Sequence, residues 1–448
     1  MPRSPTPEPI PLTGADCFLR AFDSEVRRTA NASHLAQLVL RLGPGFDAGA
    51  FAKLLDEACE AQPILRAPIR RPWGILPPVY SLDRAARAPL PRIDIHDAPD
   101  EAADAPTAPP VFAERLNDRF DARRGELLHC DVVRYGGGAA GTDLALTWFH
   151  PLLDGSGSER FLRWLDEVAR GARPASELPP GSERPPRPDA RAHGEQAMRW
   201  RARMHAFGAR APRSLAGPLA RTPQRLEVEV TTFTREETGR LTERARKLAG
   251  FLTPMLFYLA ASVRAHHAVF QLRGIDPQSF VVPLPVNLRA KGVAGDIFGT
   301  RVSLLWFQVF PEACAELEGL LVELKAQRLA SIKDGMVEAG SAAMDYARWL
   351  PRRAYAHMAR RGFGGELCSF FFGFTDEFLA GMDTFLGAPI KNGFHSPSVP
   401  PSPGSAAIFS IRDGRLNLTH VRQAGVFSGF ELVRFQKRLR ADLLGEGA

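Results

Sequence analysis

A histidine, an aspartate and a glycine stand close together in the segment His150-Pro151-Leu152-Leu153-Asp154-Gly155. Neutral imidazole at pH 7 can accept a proton from a hydroxyl or an amine, which is the step that general-base catalysis requires. A buried carboxylate needs a cation or several hydrogen bonds, so we expect Asp154 to hold the loop with an arginine as its partner. Gly155 permits a tight turn at a point where a side chain could clash with an approaching substrate.

The flanking residues place this segment between a strand and a helix. The apolar run DLALTWF from Asp143 precedes it and predicts a buried strand. After it, apolar residues recur at helical spacing between positions 161 and 168, and Gly171 offers a stop. Pro151 favours an extended backbone for His150. We therefore expect His150 at the end of a strand, where the alternative is an ordinary hydrogen-bonded loop histidine.

The part of the chain before this segment predicts alternating helices and strands. Residues 16–27 and 48–61 have the apolar spacing of helices, and residues 34–42 have that of a strand. A further strand starts at Leu127, and the glycine-rich stretch YGGGAAGT joins it to the strand from Asp143. This is good turn chemistry for a hairpin, so we expect the two strands to pair.

Proline and charge dominate residues 171–190, a composition typical of a linker. A chain of 448 residues also exceeds what one hydrophobic core usually organises. We therefore divide the chain into an N-terminal lobe at residues 10–178, a linker and junction helix at 179–225, and a C-terminal lobe at 226–448. The basic stretch after the linker predicts a helix with a solvated face, or alternatively one that lies on a membrane surface.

The C-terminal lobe also mixes strands with helices. Thr234 and Glu237 form a capping box after an alternating strand, and Pro254 opens a largely apolar helix. A strand ends at Arg289, and Asp413-Gly414 joins the two strands of a hairpin before a last helix. Both lobes therefore predict an α/β fold, layered in the α+β manner.

Charge and cysteine content restrict the class of protein. The net charge of +7 could suit nucleic acid, but the arginines are dispersed and no nucleic-acid-binding module is recognisable, so this is a weak alternative. A positive field also suits the phosphates of coenzyme A or an acidic carrier protein. The five cysteines show neither paired nor metal-ligand spacing, which predicts reduced core thiols and no metal site.

No secretory signal opens the chain, and no stretch reaches the roughly 18 apolar residues of a transmembrane helix. We therefore expect a soluble, cytoplasmic protein without a transmembrane segment. We also expect it to be a monomer.

The segment HPLLDG, with its flanking strand and helix, resembles the active-site motif of the chloramphenicol-acetyltransferase-like superfamily. This superfamily includes nonribosomal peptide condensation domains, wax ester synthases, alcohol acetyltransferases and polyketide-associated acyltransferases. Four further segments fall in the expected order, so the resemblance covers most of the chain: PLTGADCFLRAFD (11–23), QPILRA (62–67), VPLPVNLR (282–289) and SPG (402–404).

The resemblance implies two lobes in a V, with the active-site tunnel between them and His150 facing it. It implies that His150 is the general base, that Asp154 pairs with Arg289 of the second lobe, and that no cofactor is bound. The substrates would be an acyl thioester, either acyl-CoA or a phosphopantetheine-carried group, and a small alcohol or amine. An acyl or peptidyl carrier protein is then a possible partner.

The sequence also departs from the pattern of the superfamily. Condensation domains and wax ester synthases usually carry two consecutive histidines, and Phe149 takes the first place here. Thr300 stands where relatives often have asparagine, and the plant signature Asp-Phe-Gly-Trp-Gly is absent. For the oxyanion of the tetrahedral intermediate, we consider Ser402 or Ser405 in the loop SPSVPPSPGS.

These observations favour an acyltransferase that moves an acyl group from a thioester to a hydroxyl or amine, in secondary or lipid metabolism. One alternative is a free-standing condensation-type enzyme that joins carrier-bound substrates. Another is a catalytically silent scaffold that binds acyl carriers. Other polar or aromatic residues are better explained by packing, although the phenylalanine run could also line an acyl tunnel: His266, His267, His395, His420 and Phe370-Phe371-Phe372.

Overall fold

The structure is a computed structural model that describes residues 8–105, 107–180, 189–217, 225–290 and 294–446. The strands are β1 (Ile10–Pro11), β2 (Leu35–Leu42), β3 (Ile69–Arg70), β4 (Val79–Tyr80), β5 (Arg92–Ala98), β6 (Leu128–Tyr135), β7 (Gly141–Phe149), β8 (Leu226–Thr232), β9 (Phe280–Asn287), β10 (Val302–Val309), β11 (Phe371–Thr375), β12 (Thr384–Phe385), β13 (Ala388–Pro397), β14 (Ser405–Arg412) and β15 (Arg415–Gln423). The helices are α1 (Gly14–Thr29), α2 (Ala48–Ala61), α3 (Pro110–Arg115), α4 (Gly155–Ala169), α5 (Ala190–Gly208), α6 (Arg235–Ala249), α7 (Pro254–Leu272), α8 (Leu317–Lys333), α9 (Met336–Ala347), α10 (Arg352–Arg361) and α11 (Gly429–Leu444).

A six-stranded sheet organises the first half of the chain, in the order β12-β13-β2-β7-β6-β5. β2 and β7 pair antiparallel with Leu35 opposite Phe149, and β6 and β7 form the predicted hairpin. Every residue of β7 is buried, because the side chains on both faces of this strand pack against other parts of the protein. The central strand β7 therefore ends inside the protein, directly before His150.

Two strands of this sheet come from the C-terminal half of the sequence. β13 runs antiparallel to β2, with Phe394 opposite Val39, and β12 pairs with β13 at the edge. The division of the chain at 179–225 therefore separates the two main sheets except for β12 and β13. Alternation of apolar and polar residues predicts a strand, but it does not show which sheet the strand joins.

The second half contains a four-stranded sheet in the order β11-β14-β15-β8, together with the antiparallel pair β9 and β10. The helices α6, α7, α8 and α11 pack together beside these strands. α7 is buried along most of its length, as its continuous apolar sequence predicts, and it forms the centre of the second core. The α/β class predicted from the sequence is thus confirmed.

Several local predictions also match the structure. α2 spans the predicted residues 48–61, and Thr234 forms its capping box with Glu237 at the start of α6. The basic stretch after the linker forms α5, which packs against α9, a helix that the sequence analysis did not identify. Residues 181–188 and 218–224 of the predicted linker and junction lie outside the described residues.

The state of the cysteine thiols and the lengths of the helices can be read directly from the structure. All five cysteines are unpaired and buried, and burial raises the pKa of both Cys17 and Cys59 to about 12. Across the residues that the structure describes, no single helix has both the length and the apolar character needed to cross a bilayer. Only α6 and α7 counted together, with a 98° bend between them, meet these criteria.

Candidate active site

The loop that carries His150 connects the buried end of β7 to the start of α4. His150, Pro151 and Leu152 form a single short 3₁₀ turn. Asp154 then caps α4, because its side chain accepts a hydrogen bond from the Gly157 N–H at 2.8 Å. Aspartate at this position satisfies a backbone donor that the helix itself leaves free. The loop is therefore short, and its two ends are fixed by regular structure.

Hydrogen bonds from distant parts of the chain hold the carbonyl groups of this loop. Tyr80 donates its hydroxyl proton to the Pro151 carbonyl at 3.0 Å. The Gly299 N–H donates to the Leu152 carbonyl at 2.7 Å. The Trp148 indole N–H donates to the Leu153 carbonyl, also at 2.7 Å. The backbone around His150 is thus satisfied by hydrogen bonds, as buried backbone must be. Tyr80 and Trp148 are not among the site residues predicted from the sequence.

Asp154 and Arg289 form an ion pair that is buried on both sides. Nη1 of Arg289 lies 2.8 and 2.6 Å from the two carboxylate oxygens. The backbone N–H groups of Gly157 and Arg301 each donate to one of these oxygens at 2.8 Å. The Asp154 carboxylate thus accepts four hydrogen bonds from three donor groups, and it makes no hydrogen bond to His150 in the described part of the chain. Its position suits a structural role in shaping the loop.

Two glycines at the start of α4 differ in the space around them. A methyl group added at Gly155 would lie 3.5 Å from the His395 ring, an ordinary contact distance. One added at Gly157 would overlap the Ile297 carbonyl oxygen and lie 3.0 Å from Nη2 of Arg289. The tighter position is therefore Gly157, which the sequence analysis did not single out.

The His150 ring is partly buried, and its two nitrogens differ in environment. Nδ1 is buried, and no described group meets it at hydrogen-bonding geometry. Burial lowers the pKa of His150 below its usual 6.5, while the nearby carbonyls of His150 and Leu153 partly offset this effect. The ring is thus neutral at pH 7.

His34 is the closest aromatic partner of His150 that the structure records. The two rings are stacked, with 5.1 Å between centroids and 27° between planes. Ser398 meets Nδ1 of His34 at 2.9 Å. From the sequence, His34 was expected only to begin the strand predicted at residues 34–42. His34 lies beside His150 because β2 pairs with β7, and the sequence alone does not show which strands pair.

The two serines considered for the oxyanion make hydrogen bonds elsewhere. Ser402 donates its hydroxyl proton to Oε2 of Glu366 at 2.6 Å. The Ser405 hydroxyl lies 3.2 Å from Nε2 of His266 and 3.4 Å from Nε2 of His420. Both serines are fully buried, and neither hydroxyl bonds to His150 among the described residues. The structure therefore does not bring their hydroxyl groups to the His150 ring.

The other histidines and phenylalanines singled out by the sequence lie mainly in packed surroundings. His266 stacks on Phe370 with 3.9 Å between ring centroids, and burial lowers the pKa of His266 to about 4. Phe370 and Phe372 are both core residues. His395 is buried beside Gly155, and its pKa is also lowered to about 4 by burial. Packing accounts for these residues, as expected.

One cluster outside the loop has the donor atoms of a metal site. Asp94, His129 and Asp131 can bring one donor atom each within 4.8 Å of the others. The guanidinium of Arg115 already lies between the carboxylates, 2.7 Å from Asp94 and 2.7 and 2.8 Å from the two oxygens of Asp131. A cation is thus supplied by the protein, and the residues fit an ion-pair network at the edge of the first sheet.

Solved structures resemble the chain over nearly its full length. The first condensation domain of the calcium-dependent antibiotic synthetase matches with a TM-score of 0.68 and 16% identity, over 99% of this chain and 98% of that domain. Trichothecene 15-O-acetyltransferase from Fusarium sporotrichioides matches with a TM-score of 0.69 and 11% identity, over 98% of this chain and 95% of that enzyme. The chain has the chloramphenicol-acetyltransferase-like fold. The two-lobed architecture implied by the motif resemblance is thereby confirmed.

A third chloramphenicol-acetyltransferase-like structure supports the same assignment of fold. Polyketide synthase associated protein 5 from Mycobacterium tuberculosis has a TM-score of 0.60 and 16% identity, over 98% of this chain and all of that one. By sequence, the chain matches no protein-family model and no curated protein. At these identities, the similarity establishes the fold alone.

Proposed function

We propose that the protein is an acyltransferase that moves an acyl group from a thioester to a hydroxyl or amine acceptor, with His150 as the general base. The observation that carries the proposal is the state of the His150 ring. No described residue hydrogen-bonds to the ring, whose Nδ1 is buried, the ring is neutral at pH 7 because burial lowers its pKa, and it stands at the end of β7. A neutral imidazole with a free nitrogen is suited to accept a proton.

In the proposed reaction, Nε2 of His150 takes the proton of the acceptor hydroxyl or amine as the acceptor attacks the thioester carbonyl. A C–O or C–N bond forms, and the carbonyl oxygen becomes an oxyanion. Collapse of this intermediate breaks the C–S bond, and the imidazolium returns the proton to the departing sulfur. The products are an ester or amide and a free thiol, and His150 is again neutral.

Direct transfer is favoured over a covalent acyl-enzyme by the states of the nucleophilic side chains. All five cysteines are buried, and burial raises the pKa of each, to about 12 for Cys314. Such thiols are poor nucleophiles at pH 7. Ser402 and Ser405 are hydrogen-bonded away from His150. The general base therefore acts on the acceptor itself in our proposal.

The donor is an acyl thioester of coenzyme A or of a phosphopantetheine on a carrier protein. The net charge of +7 suits the anionic character of both carriers. A condensation-type reaction between carrier-bound substrates is the second candidate, because the similar structure from the calcium-dependent antibiotic synthetase is a condensation domain by name. We prefer a hydroxyl acceptor, because the buried Phe149 replaces the first histidine that condensation domains usually carry.

The test is release of free thiol from a panel of acyl-CoA and acyl-carrier donors, each with mixed alcohols and amines. We expect release by the wild type to fall on the order of a hundredfold or more in His150→Ala. Use of carrier-bound donors only, with an amine acceptor, would favour the condensation-type reaction. Equal release by both proteins excludes His150 as the base, and no release from any donor favours a carrier-binding scaffold.

The matched control is His267→Ala. His267 lies on α7 in the second core region, where it contacts Phe280 edge-on, and it makes no contact with the His150 loop in the described structure. We expect this variant to keep the wild-type rate of thiol release. Loss of release in both variants would indicate a general loss of folding, which thermal unfolding of each variant would detect.

A further inference from the structure

His34 and His150 lie side by side on neighbouring strands. Leu35 pairs with Phe149 in the antiparallel ladder of β2 and β7, and the His150 N–H continues it by donating to the His34 carbonyl at 3.2 Å. Residues that face each other across such a ladder project their side chains to the same side of the sheet. The two rings accordingly stack, 5.1 Å apart and 27° from parallel.

Ser398 is the hydrogen-bond partner of the His34 ring. The Ser398 hydroxyl oxygen accepts the Leu35 N–H at 2.8 Å and keeps its own proton for a second hydrogen bond. It lies 2.9 Å from Nδ1 of His34, which can accept that proton. A neutral imidazole that accepts at Nδ1 carries its hydrogen on Nε2. With Ser398 as the donor, His34 presents an N–H group at Nε2, and this is the tautomer on which the inference rests.

The His34 ring stays neutral and is in contact with several neighbours. Burial, and secondarily the neighbouring His150, lower the pKa of His34 well below its usual 6.5. The backbone N–H of His34 donates to Oδ1 of Asp23 at 3.1 Å, and Phe22 contacts the ring edge-on with 5.6 Å between centroids. Nε2 has no hydrogen-bond partner among the described residues, although the rest of the ring is held on several sides.

We propose that His34 is a second catalytic residue, whose Nε2–H donates a hydrogen bond to the thioester carbonyl oxygen as that oxygen becomes the oxyanion. The inference rests on the proposed function. The two stacked rings have opposite roles: His150 offers a lone pair to the acceptor proton, and His34 offers an N–H to the carbonyl oxygen. The proposal requires the reacting carbonyl to lie about 3 Å from both nitrogens. No bond to His34 forms or breaks.

The tautomer of His34 can be measured without any turnover. The full-length protein, labelled with ¹⁵N-histidine, is studied by long-range proton–nitrogen NMR, and the His34 signals are assigned by their loss in His34→Phe. We expect a neutral ring with its proton on Nε2 throughout pH 6–8. A proton on Nδ1 would overturn the proposal, because no donor would then face the substrate. Ser398→Ala should allow both tautomers, since it removes the donor to Nδ1.

Kinetics then separate a hydrogen-bond donor from a ring that only packs. His34→Phe keeps a flat ring beside His150 but has no N–H, so we expect kcat to fall by about 10²- to 10³-fold while KM changes little. His34→Gln places an amide N–H near the position of Nε2, so it should recover at least about tenfold of that loss. His267→Phe, which carries the same substitution away from the loop, should keep the wild-type rate.

The outcomes distinguish the role of His34 from the proposed function. If wild-type turnover depends on His150 but His34→Phe is fully active, the role of His34 is wrong and the function stands. If His34→Phe and His34→Gln are equally impaired, the ring acts by packing, and donation is again wrong. If the folded wild type releases no thiol from any donor, both proposals fail, whatever tautomer the NMR spectrum shows.

Discussion

Asp154 and Arg289 form a buried ion pair between residues 135 positions apart in the sequence, one from each half of the chain. The side chains are 5% and 1% exposed, so neither charge is compensated by water. Arg289 also donates from Nε to the Asp296 carbonyl at 2.8 Å. The pair thus joins the first turn of α4 to the segment after β9, and the geometry of the His150 loop depends on both halves.

Replacing Arg289 with methionine should be strongly destabilising. The substitution leaves the Asp154 carboxylate buried with two backbone donors but no cation, which typically costs about 3–5 kcal/mol. The expected result is a lower midpoint in urea unfolding, with loss of thiol release as the loop relaxes. Unfolding of the wild type and of Arg289→Met by circular dichroism checks this expectation.

Arg301→Met is the control for that experiment. The Arg301 side chain pairs with Asp296 at 2.9 Å, and both groups are about one-fifth exposed, so the loss should be about 1 kcal/mol or less. The contact of Arg301 with Asp154 is made by its backbone N–H, which the substitution keeps. Equal stability losses in the two variants would contradict the importance of the buried pair.

The sequence predicted the local elements well but not the contacts between distant ones. Helical spacing of apolar residues located α2, and the Asp413-Gly414 turn located the hairpin of β14 and β15, because both signals are local. The pairing of Asp154 with Arg289 was predicted only from the motif resemblance. A charge pattern does not specify which of the 57 basic residues a buried carboxylate will meet.

His34 shows why part of the site was missed. Its neighbour Ser398 is 364 positions away, and its stacking on His150 depends on the register of β2 against β7. Ser405, which the sequence places in a plausible loop, has its hydroxyl beside the core histidines His266 and His420 in the structure. In both cases the deciding interaction is set by strand pairing, which requires the three-dimensional structure.

The pH dependence of turnover should report the depressed pKa of His150. Burial disfavours the imidazolium, so protonation, which removes the base, requires a lower pH than for a free histidine. We expect kcat/KM to be on its plateau at pH 7 and to fall on the acid side with a midpoint below 6.5. Initial rates between pH 4.5 and 8.5 test this, and a midpoint above 6.5 would contradict it.

His420→Phe should change how stability depends on pH. Burial lowers the pKa of His420 well below 6.5, and its Nδ1 is buried without a partner in the described structure. The unfolded state therefore binds this proton more readily, so His420 costs stability as the pH falls below about 6.5. A phenylalanine beside Phe427 and Phe435 removes that cost.

The quantity to measure is the difference in free energy of unfolding between the variant and the wild type at each pH. The free energy of unfolding of His420→Phe minus that of the wild type should become more positive between pH 7 and pH 5. Urea titrations at several pH values measure it. A difference that stays constant over this range would mean that His420 does not titrate on unfolding in the way its burial implies.

Gly157→Ala and Gly155→Ala should have opposite effects on stability and turnover. At Gly157 the new methyl group overlaps the Ile297 carbonyl oxygen and crowds Arg289, so the chain must shift and stability should fall by about 1–3 kcal/mol.

At Gly155 the methyl group makes only an ordinary contact with His395, and the helical backbone accepts alanine. Stability should then stay within about 0.5 kcal/mol of the wild type. If substrate passes Gly155, as the sequence leads us to expect, the Gly155→Ala protein should be folded but have a raised KM. Unchanged kinetics in a stable Gly155→Ala protein would place the substrate path elsewhere.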